Sequence, residues 1–329
     1  MNIYDIAAEA GVSISTVSRV MNNKGNVNPE MRRRIEEVLK KYDYKPSAIA
    51  RGMVSKTMKT IAILTVDLRV PQHARQVYII EQEFCQKGYN VMVCNTGGKL
   101  EECARYINLL SEKQVDGIVL IGSTFNDLGG RTEITGKVSR IPVVMANGHL
   151  DLPNFYSILV DDLKGIRRAA DFLYEKGHRD IFCICDLDTD SGREKKKGFL
   201  ESMKLHDIDD GEERIIPCQY GMEGGALAVE RLLSLGRPFT GLLFGEDTTA
   251  IGAMKALRRR GIRVPEDVAI VGYDNSPDAV VCDPELTTVD IKIEMMGTLC
   301  ARTLQDLLEN KEANTDLAIQ PEIIERKST

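Results

Sequence analysis

Two polar residues near the N-terminus, Ser15 and Arg19, are four positions apart, so on a helix they would share one face. An arginine guanidinium can donate two hydrogen bonds to one guanine, and a serine hydroxyl can bond to several bases. Ile14, at the start of the same segment, could contact the methyl group of thymine. These residues are typical of a helix that reads DNA, but they also suit a module that docks on a protein.

Three short helices are predicted to position these side chains. Apolar residues recur with helical period up to Gly11, which ends the first helix. Ser13 can cap a second helix over residues 14–21, and Asn28 followed by Pro29 can open a third. Two helices joined by a tight glycine turn form a helix-turn-helix, whose second helix enters the major groove of DNA.

Charge is divided unevenly along the chain. The 329 residues include 43 Lys+Arg and 49 Asp+Glu, but residues 1–60 contain eleven Lys/Arg and six Asp/Glu. A basic segment ahead of an acidic one suits a DNA-contacting head on a body that stays away from phosphates. In the third helix, Arg32, Arg33 and Arg34 could contact phosphates, although at least one is expected to be an ordinary solvated residue.

Other kinds of chemistry find no support in the sequence. The eight cysteines lie mostly inside apolar runs and lack zinc-ligand spacing, so we expect no metal site. No glycine-rich phosphate-binding motif occurs, so we expect neither an enzyme nor a cofactor. Without a secretory signal or a membrane-length apolar run, we expect a soluble, cytoplasmic protein with no membrane partner.

From Thr60 onward, predicted strands alternate with predicted helices. Residues 61–66 form an apolar run typical of a strand buried on both faces, and a helix around 76–87 follows. This alternation implies parallel sheets, and roughly 270 residues suit two lobes better than one. The predicted fold is a small all-α helix-turn-helix headpiece followed by an α/β core of two parallel-sheet lobes.

The expected domain boundaries follow from these patterns and from Pro284, after which the chain could return to the first lobe. They are 1–45 for the headpiece, 46–59 for a hinge helix and linker, and 60–329 for the core. Within the core, lobe 1 is expected at about 60–160 and 289–325, and lobe 2 at about 161–288.

The chain resembles the lac repressor (LacI/GalR) family of transcriptional regulators over residues 3–325. The shared motifs of the headpiece and hinge are residues 3–7, 11–13, 16–20, 28–29 and 44–51. Those of the core are residues 115–118, 177–178, 191–193, 272–275 and 284–288. The resemblance implies a periplasmic-binding-protein-like core, operator binding as a homodimer, and a small ligand in the cleft between the lobes.

The hinge of this family forms a helix only on operator DNA, and paired hinge helices open the centre of a pseudo-palindrome. Met53 stands where the family usually has a wedging leucine, and methionine is apolar and adaptable enough for that role. The residues expected to contact double-stranded operator DNA are Ile14, Ser15, Thr16, Ser18, Arg19, Asn22, Ala50 and Met53.

Candidate ligand contacts lie at predicted strand ends and helix starts. The guanidinium of Arg193 could bind hydroxyls or a carboxylate, and Asp274 could accept hydrogen bonds from two sugar hydroxyls. Both match effector-contacting positions of the family, and the resemblance adds Asn147, Tyr220 and Glu246. Each has a plainer alternative, since Asp274 could cap a turn, Arg193 could pair with Glu194 and Tyr220 could be a packing residue.

The segment from Asp67 to His73 lacks the stacking aromatic that many members of the family have there. Because Arg69, Gln72 and His73 are more polar, a phosphorylated or acidic sugar is conceivable as ligand. Arg69 could equally be exposed, and His73, a further candidate ligand contact, could be an ordinary loop histidine.

The sequence therefore predicts a repressor that binds a pseudo-palindromic operator as a homodimer and responds to a small, carbohydrate-like effector. One alternative is co-repression by a phosphorylated carrier protein, because the hinge and the C-terminal ending resemble those of catabolite control protein A. The corresponding docking motif reads Gly-Thr-Leu-Cys at residues 297–300 and lacks the basic docking residue, which disfavours that alternative. A purine- or nucleoside-responsive repressor is the other alternative.

Overall fold

The computed structural model describes residues 2–21, 25–44 and 57–329 of the chain. The chain divides into two compact units, residues 1–58 and residues 59–329. Asn22, Ala50 and Met53, which were expected to contact DNA, lie outside the described residues, as does most of the predicted hinge.

The first unit contains three helices, which are α1 Ile3–Ala10, α2 Ile14–Met21 and α3 Pro29–Lys41. Asn2 caps α1 by accepting hydrogen bonds from the amides of Tyr4 and Asp5 at 2.9 and 3.1 Å, and the Asp5 carboxylate accepts one from the Asn2 amide. Gly11 ends α1 with a φ of 63°. The three helices enclose one small core of Ile6, Ala7, Ala10, Val17, Val20, Ile35 and Val38.

Arg34 connects α3 to α1. Its guanidinium donates to the carbonyl oxygen of Ala10, with Nε at 2.7 Å, at the C-terminal end of α1. A cation at this end is favoured by the helix dipole and satisfies a carbonyl that the helix leaves unpaired. Of the three consecutive arginines of α3, Arg34 therefore holds the headpiece together, whereas Arg33 is exposed beside Glu37.

The second unit is built from alternating strands and helices, as the sequence predicts. In chain order they are β1 Thr60–Thr65, α4 Pro71–Cys85, β2 Asn90–Asn95, α5 Leu100–Glu112, β3 Gly117–Ile121, α6 Thr132–Thr135, β4 Val143–Ala146, β5 Phe155–Val160, α7 Asp162–Glu175, β6 Ile181–Cys185, α8 Asp190–Leu205, β7 Ile215–Pro217, α9 Met222–Ser234, β8 Gly241–Phe244, α10 Asp247–Arg259, β9 Ala269–Tyr273, α11 Asp278–Val281, β10 Thr287–Asp290, α12 Ile293–Leu308, β11 Asp316–Ile319 and β12 Glu322–Ile324.

These strands form two six-stranded sheets, one in each lobe. The sheet of lobe 1 has the order β11-β5-β4-β3-β1-β2 and is parallel throughout. The sheet of lobe 2 has the order β12-β10-β9-β8-β6-β7, with only β12 antiparallel to its neighbour. The two-lobed α/β fold predicted from the alternation is confirmed.

The predicted lobe boundaries differ from the structure near the C-terminus. Residues 289–325 were expected to belong to lobe 1, and of these α12 and β11 do. However, β10 and β12 lie in the sheet of lobe 2, so the chain passes between the lobes after β5, after β10 and after β11. A short apolar strand has the same pattern in either sheet, so sequence periodicity could not assign β12.

The first helix of lobe 1 begins earlier than predicted. The pattern predicted a helix around 76–87, but α4 starts at Pro71, which occupies the first turn. His73 therefore lies in a helix and not in a loop.

Within the described part of the chain, no helix has the length and apolar character needed to cross a membrane. The same residues contain no group of three or more His, Cys, Asp or Glu side chains that could hold a metal ion.

Candidate functional sites

One face of α2 carries the side chains predicted to read DNA. Val17 and Val20 are buried in the headpiece core, so the opposite side of the helix faces away from that core. Ile14, Ser15 and Arg19 are exposed there, while Thr16 and Ser18 are half-buried.

The start of α2 is held by a group of hydroxyls. The Ser13 hydroxyl lies 2.8 Å from those of Ser15 and Thr16, and its oxygen also accepts from the Thr16 amide at 3.3 Å. This arrangement fixes the first turn of the helix, where base-reading side chains are found in helix-turn-helix proteins. Contact with bases remains a prediction for these residues.

A cavity of about 350 Å³ lies between the two lobes of the second unit. It is lined by residues that follow the strands of both sheets, including Asp67 after β1, Asn147 after β4, Glu246 after β8 and Asp274 after β9. Because all of these strands run parallel, their carboxyl ends meet at this edge, where open α/β sheets bind ligands. We refer to this cavity as the interlobe cleft.

Asp274 is the most distinctive acceptor in the cleft. It follows β9 with a φ of 102°, its side chain is 7% exposed, and its carboxylate accepts no hydrogen bond from the described residues. Burial raises the pKa of Asp274 well above its usual range, although the ammonium of Lys195 opposes that increase. A ligand hydroxyl or amine would supply the missing partner.

Arg193, the predicted cationic contact, does not line the cleft. Its guanidinium is half-exposed, pairs with Asp190 and donates to the carbonyl of Asp188 at 3.1 Å. Arg193 therefore stabilises the loop before α8 and the start of that helix, a plainer role than the one predicted, although its partner is Asp190 and not Glu194.

Lys195, two residues further along α8, is the cation that lines the cleft. The residue is 8% exposed, and its Nζ donates to the carbonyl of Gly245 at 2.8 Å. The same nitrogen lies 4.0 Å from Asp162 and 4.0 Å from the centre of the Tyr273 ring. Lys195 precedes the buried Phe199 by four residues, so the helical period of α8 could have identified it.

The other four predicted ligand residues all line the cleft. The Asn147 side-chain oxygen accepts from the amide of Val160 at 3.4 Å, and Tyr220 is 44% exposed. Burial, with Glu246 nearby, raises the pKa of Tyr220 to about 12. Burial also lowers the pKa of His73, so its ring is neutral near pH 7.

The carboxylate of Glu246 already accepts several hydrogen bonds from the protein backbone. Its carboxylate caps α10 by accepting hydrogen bonds from the amides of Thr248 and Thr249 at 3.1 and 3.0 Å, and it accepts a third from the amide of Gly221 at 3.1 Å. Burial raises its pKa, and these amides oppose the increase. Glu246 therefore shapes the wall of the cleft with little remaining capacity for a ligand.

Two further cleft residues were not predicted from the sequence. Gln76 of α4 is 3% exposed, and its side-chain oxygen has no partner among the described residues. Asp162, the first residue of α7, accepts from the hydroxyl of Ser191 at 2.6 Å and from that of Tyr273 at 2.7 Å. Gln76 precedes Ile80 and Phe84 on the buried face of α4, so helical periodicity could have revealed its direction.

Comparison with known proteins agrees with this architecture. Residues 2–47 match the family of bacterial regulatory proteins called the lacI family, and residues 170–329 match the periplasmic binding protein-like domain. An HTH-type transcriptional regulator of Lachnoclostridium phytofermentans is 33% identical over 331 residues, covering 100% of this chain and 99% of its own. The HTH-type transcriptional repressor PurR of Serratia proteamaculans is 32% identical and covers 99% and 96% of the two chains.

Solved structures show the same fold. The lac repressor dimer bound to operator and the anti-inducer ONPF has a TM-score of 0.85 at 24% identity, covering 100% of this chain and 99% of its own. The complex of the transcriptional regulator CelR with cellobiose has a TM-score of 0.74 at 26% identity and covers 100% of both chains. The family resemblance seen in the sequence is confirmed: this chain belongs to the lacI family of bacterial DNA-binding transcriptional regulators.

Proposed function

We propose that this protein is a transcriptional repressor that binds a pseudo-palindromic operator as a homodimer and is controlled by a small polyhydroxylated effector in the interlobe cleft. The observation that carries the proposal is the unpartnered, buried carboxylate of Asp274 in a cleft between two lobes. It is combined in one chain with a helix-turn-helix whose reading face is exposed. Such a protein would act in the cytoplasm, where bacterial DNA is found.

Operator reading is assigned to Ile14, Ser15, Thr16, Ser18 and Arg19 of α2. Asn22, Ala50 and Met53 belong to the same proposal from sequence alone, with Met53 as the wedge at the centre of the operator. Arg33, by contrast, points from α3 beside Glu37 and is a suitable control.

The operator assignment can be tested by selecting DNA sequences with the full-length protein and titrating the selected operator. Arg19→Ala should weaken discrimination at one base position by about tenfold or more, since one bidentate contact contributes about 1–3 kcal/mol. Arg33→Ala should keep the same base preference, and binding of the unsubstituted protein should fall steeply with salt. Identical base preferences for Arg19→Ala and the unsubstituted protein would refute the assignment of α2.

The effector is assigned to the cleft through Asp274, Lys195 and Gln76, with Asn147, Tyr220 and His73 also within reach. Support comes from the CelR complex with cellobiose and from a regulator of Alkaliphilus metalliredigens solved with D-xylulofuranose, 27% identical over 82% of this chain with a TM-score of 0.71. A ligand can shift operator affinity only by binding the two lobe arrangements unequally, and operator must change ligand affinity reciprocally.

The test of this assignment is a thermal-shift screen of sugars, followed by operator titration with any compound that stabilises the protein. Asp274→Ala should abolish the ligand response and leave operator binding in the absence of ligand unchanged. Loss of both would make Asp274 a structural residue.

A purine effector is the second candidate because the PurR relative matches over nearly the full chain. Tyr220 is the one aromatic side chain among the described cleft-lining residues apart from the ring of His73, and it could stack on a base. Purines and nucleosides therefore belong in the same screen. Stabilisation by a purine that is lost in Tyr220→Ala would favour this candidate over a sugar.

Homodimer formation is supported by apolar side chains that remain exposed on lobe 2. Leu227 on α9 and Val280 and Val281 around α11 are 62%, 53% and 79% exposed. Exposed apolar side chains mark an interface when they form one contiguous patch, and we propose that these three do. Sedimentation equilibrium should give twice the chain mass, and a monomer at micromolar concentration would contradict the proposal.

A further inference from the structure

The charged side chains that line the interlobe cleft are almost all acidic. Five carboxylates line it, and Lys195 is the one ammonium or guanidinium group among the described lining residues; the carboxylates are Asp67, Asp162, Asp186, Glu246 and Asp274. We propose that the cleft selects its ligand by charge, accepting polyhydroxylated compounds that are uncharged or carry an amine and excluding sugar phosphates, nucleotides and sugar acids. The inference rests on the proposed function only in treating the cleft as the effector site.

The lone ammonium has little capacity left for an anion. Lys195 already donates to the carbonyl of Gly245 at 2.8 Å, lies 4.0 Å from Asp162 and sits over the Tyr273 ring. Binding a phosphate here would place two further negative charges beside the buried carboxylate of Asp162. Like charges in such a site repel strongly because water does not screen them.

Side chains of the protein already occupy amides at three of the helix starts beside the cleft. A phosphate commonly binds free amides at a helix N-terminus. Here the Asp161 side chain accepts from the amide of Lys164 at 3.0 Å at the start of α7, and Thr189 accepts from the amide of Gly192 at 3.1 Å at the start of α8. Glu246 occupies the start of α10 in the same way.

Three further helices, α4, α9 and α12, begin beside the cleft without a side-chain cap of their own. At α9, the amide of the preceding Gly221 donates to the Glu246 carboxylate. The start of α4 is a poor anion site for two reasons. Its first residue is Pro71, which has no amide hydrogen, and the carboxylate of Asp67, which is paired with Arg69, lines the cleft four residues earlier.

Two buried side chains of the cleft, Asp274 and Gln76, present oxygen atoms to which a ligand could donate hydrogen bonds. The Asp274 carboxylate belongs to lobe 2 and the Gln76 side-chain oxygen to lobe 1, and both residues are more than nine-tenths buried. The Gln76 oxygen is buried without a partner among the described residues, and the Asp274 carboxylate faces the cleft with Lys195 as its nearest opposing charge. Hydroxyls on two sides of one ligand would satisfy both and connect the lobes. An ammonium group on the ligand would in addition favour the ionised form of Asp274, which burial disfavours.

The sign of the cleft potential can be measured without knowing the ligand, because Cys218 lines the cleft and is half-buried. Full-length protein would be treated with a cationic methanethiosulfonate (the trimethylammonium-ethyl reagent) and an anionic one (the sulfonato-ethyl reagent). The rate at Cys218 would be followed by peptide mass spectrometry and divided by the rate with N-acetylcysteinamide. We expect the cationic reagent to react about tenfold faster or more after this correction.

Two variants connect that ratio to the named residues. Asp186→Asn should lower the preference for the cationic reagent, because Asp186 lines the cleft and is exposed, and Lys195→Met should raise it. A normalised ratio near one, or a preference for the anionic reagent, would overturn the proposal.

The ligand preference itself is tested with matched sets that contain a parent sugar, its amino sugar, its phosphate and its uronic acid. Among compounds that raise the melting temperature, we expect neutral sugars and amino sugars, and any phosphate or uronate should stabilise the protein less than its parent. A phosphate or uronate that stabilises more than its parent would overturn the proposal. Operator titration of the same protein without ligand keeps the two proposals separate, since failure to bind operator refutes the repressor function alone.

Discussion

The hydroxyl of Tyr273 donates a 2.7 Å hydrogen bond to the carboxylate of Asp162, connecting the last residue of β9 to the first residue of α7. Both groups are buried, and the second carboxylate oxygen accepts from the hydroxyl of Ser191 at 2.6 Å. Asp162 follows β5 directly, where the chain first passes from lobe 1 to lobe 2. The hydrogen bond therefore fixes the connection between β5 and α7 to the end of β9, beside the cleft.

Tyr273→Phe should destabilise the second unit because it leaves one buried carboxylate oxygen without a donor. The expected decrease in the free energy of unfolding is about 1–3 kcal/mol. Urea denaturation followed by circular dichroism would measure it. Tyr78→Phe is the matched control, since Tyr78 is 56% exposed and its hydroxyl is solvated, and an equal loss in both variants would contradict the role assigned to Tyr273.

The headpiece could be predicted from sequence because its signals are local. The helix bounds around Gly11 and Ser13 follow from capping residues, and the direction of Arg19 follows from the spacing of Val17 and Val20. The structural role of Arg34 could not be predicted in the same way. It depends on where α3 places its guanidinium relative to the end of α1, which is a tertiary contact.

The cleft was only partly predictable for a related reason. Strand ends identify which loops converge, so Asn147, Glu246 and Asp274 were found. Residues contributed by helices depend on the rotation of the helix about its axis, so Arg193 was chosen where Lys195 lines the cleft. The spacing of Lys195 from Phe199 could have placed Lys195 on the buried face of α8, but that this face reaches the cleft depends on how α8 packs against α7.

Asp247 should make the stability of lobe 2 depend on pH. Burial raises the pKa of its carboxyl to about 6. Hydrogen bonds from the Thr288 hydroxyl at 2.5 Å and the Ser276 amide at 2.6 Å act in the opposite direction and lower this pKa. Since an unfolded aspartate titrates near pH 4, the folded protein holds this proton to higher pH. The stabilisation is fully present below about pH 4 and is lost as the pH rises through about 6.

Asp247→Asn removes this titration while keeping an oxygen for the Ser276 amide and an amide donor for Thr288. The difference in unfolding free energy between the unsubstituted protein and the variant should change by about 3 kcal/mol between pH 4 and pH 7. Over this range the unsubstituted protein should lose stability relative to the variant. Urea titrations at matched ionic strength would show it. A difference that is constant with pH would contradict the assignment.

Lys195 and Arg193 should differ sharply although they are two residues apart on α8. Lys195→Met removes the donor to the Gly245 carbonyl and the one cation beside Asp162, so we expect a loss of about 2 kcal/mol or more at pH 7. Arg193→Met removes a half-exposed ion pair with Asp190 and should leave the urea midpoint nearly unchanged. Equal midpoints for the two variants would show that Lys195 is not part of the buried network.

Gly198 is required by the close approach of α8 to α7. A Cβ atom built at this position would lie 2.1 Å from the carbonyl oxygen of Leu163, so Gly198→Ala must push the two helices apart. Although alanine favours helix by about 1 kcal/mol, overpacking against backbone should outweigh it and lower stability by about 1–3 kcal/mol.

Gly136→Ala is the control for that substitution. Gly136 is exposed, has φ −60°, and a Cβ atom there would meet nothing within 4 Å, so this variant should be neutral or slightly stabilising. Because α7 carries Asp162 and α8 carries Lys195, Gly198→Ala should also change the Cys218 reagent ratio, whereas Gly136→Ala should not. Loss of stability in Gly198→Ala with an unchanged ratio would mean that the helix contact supports the lobe without positioning the charges of the cleft.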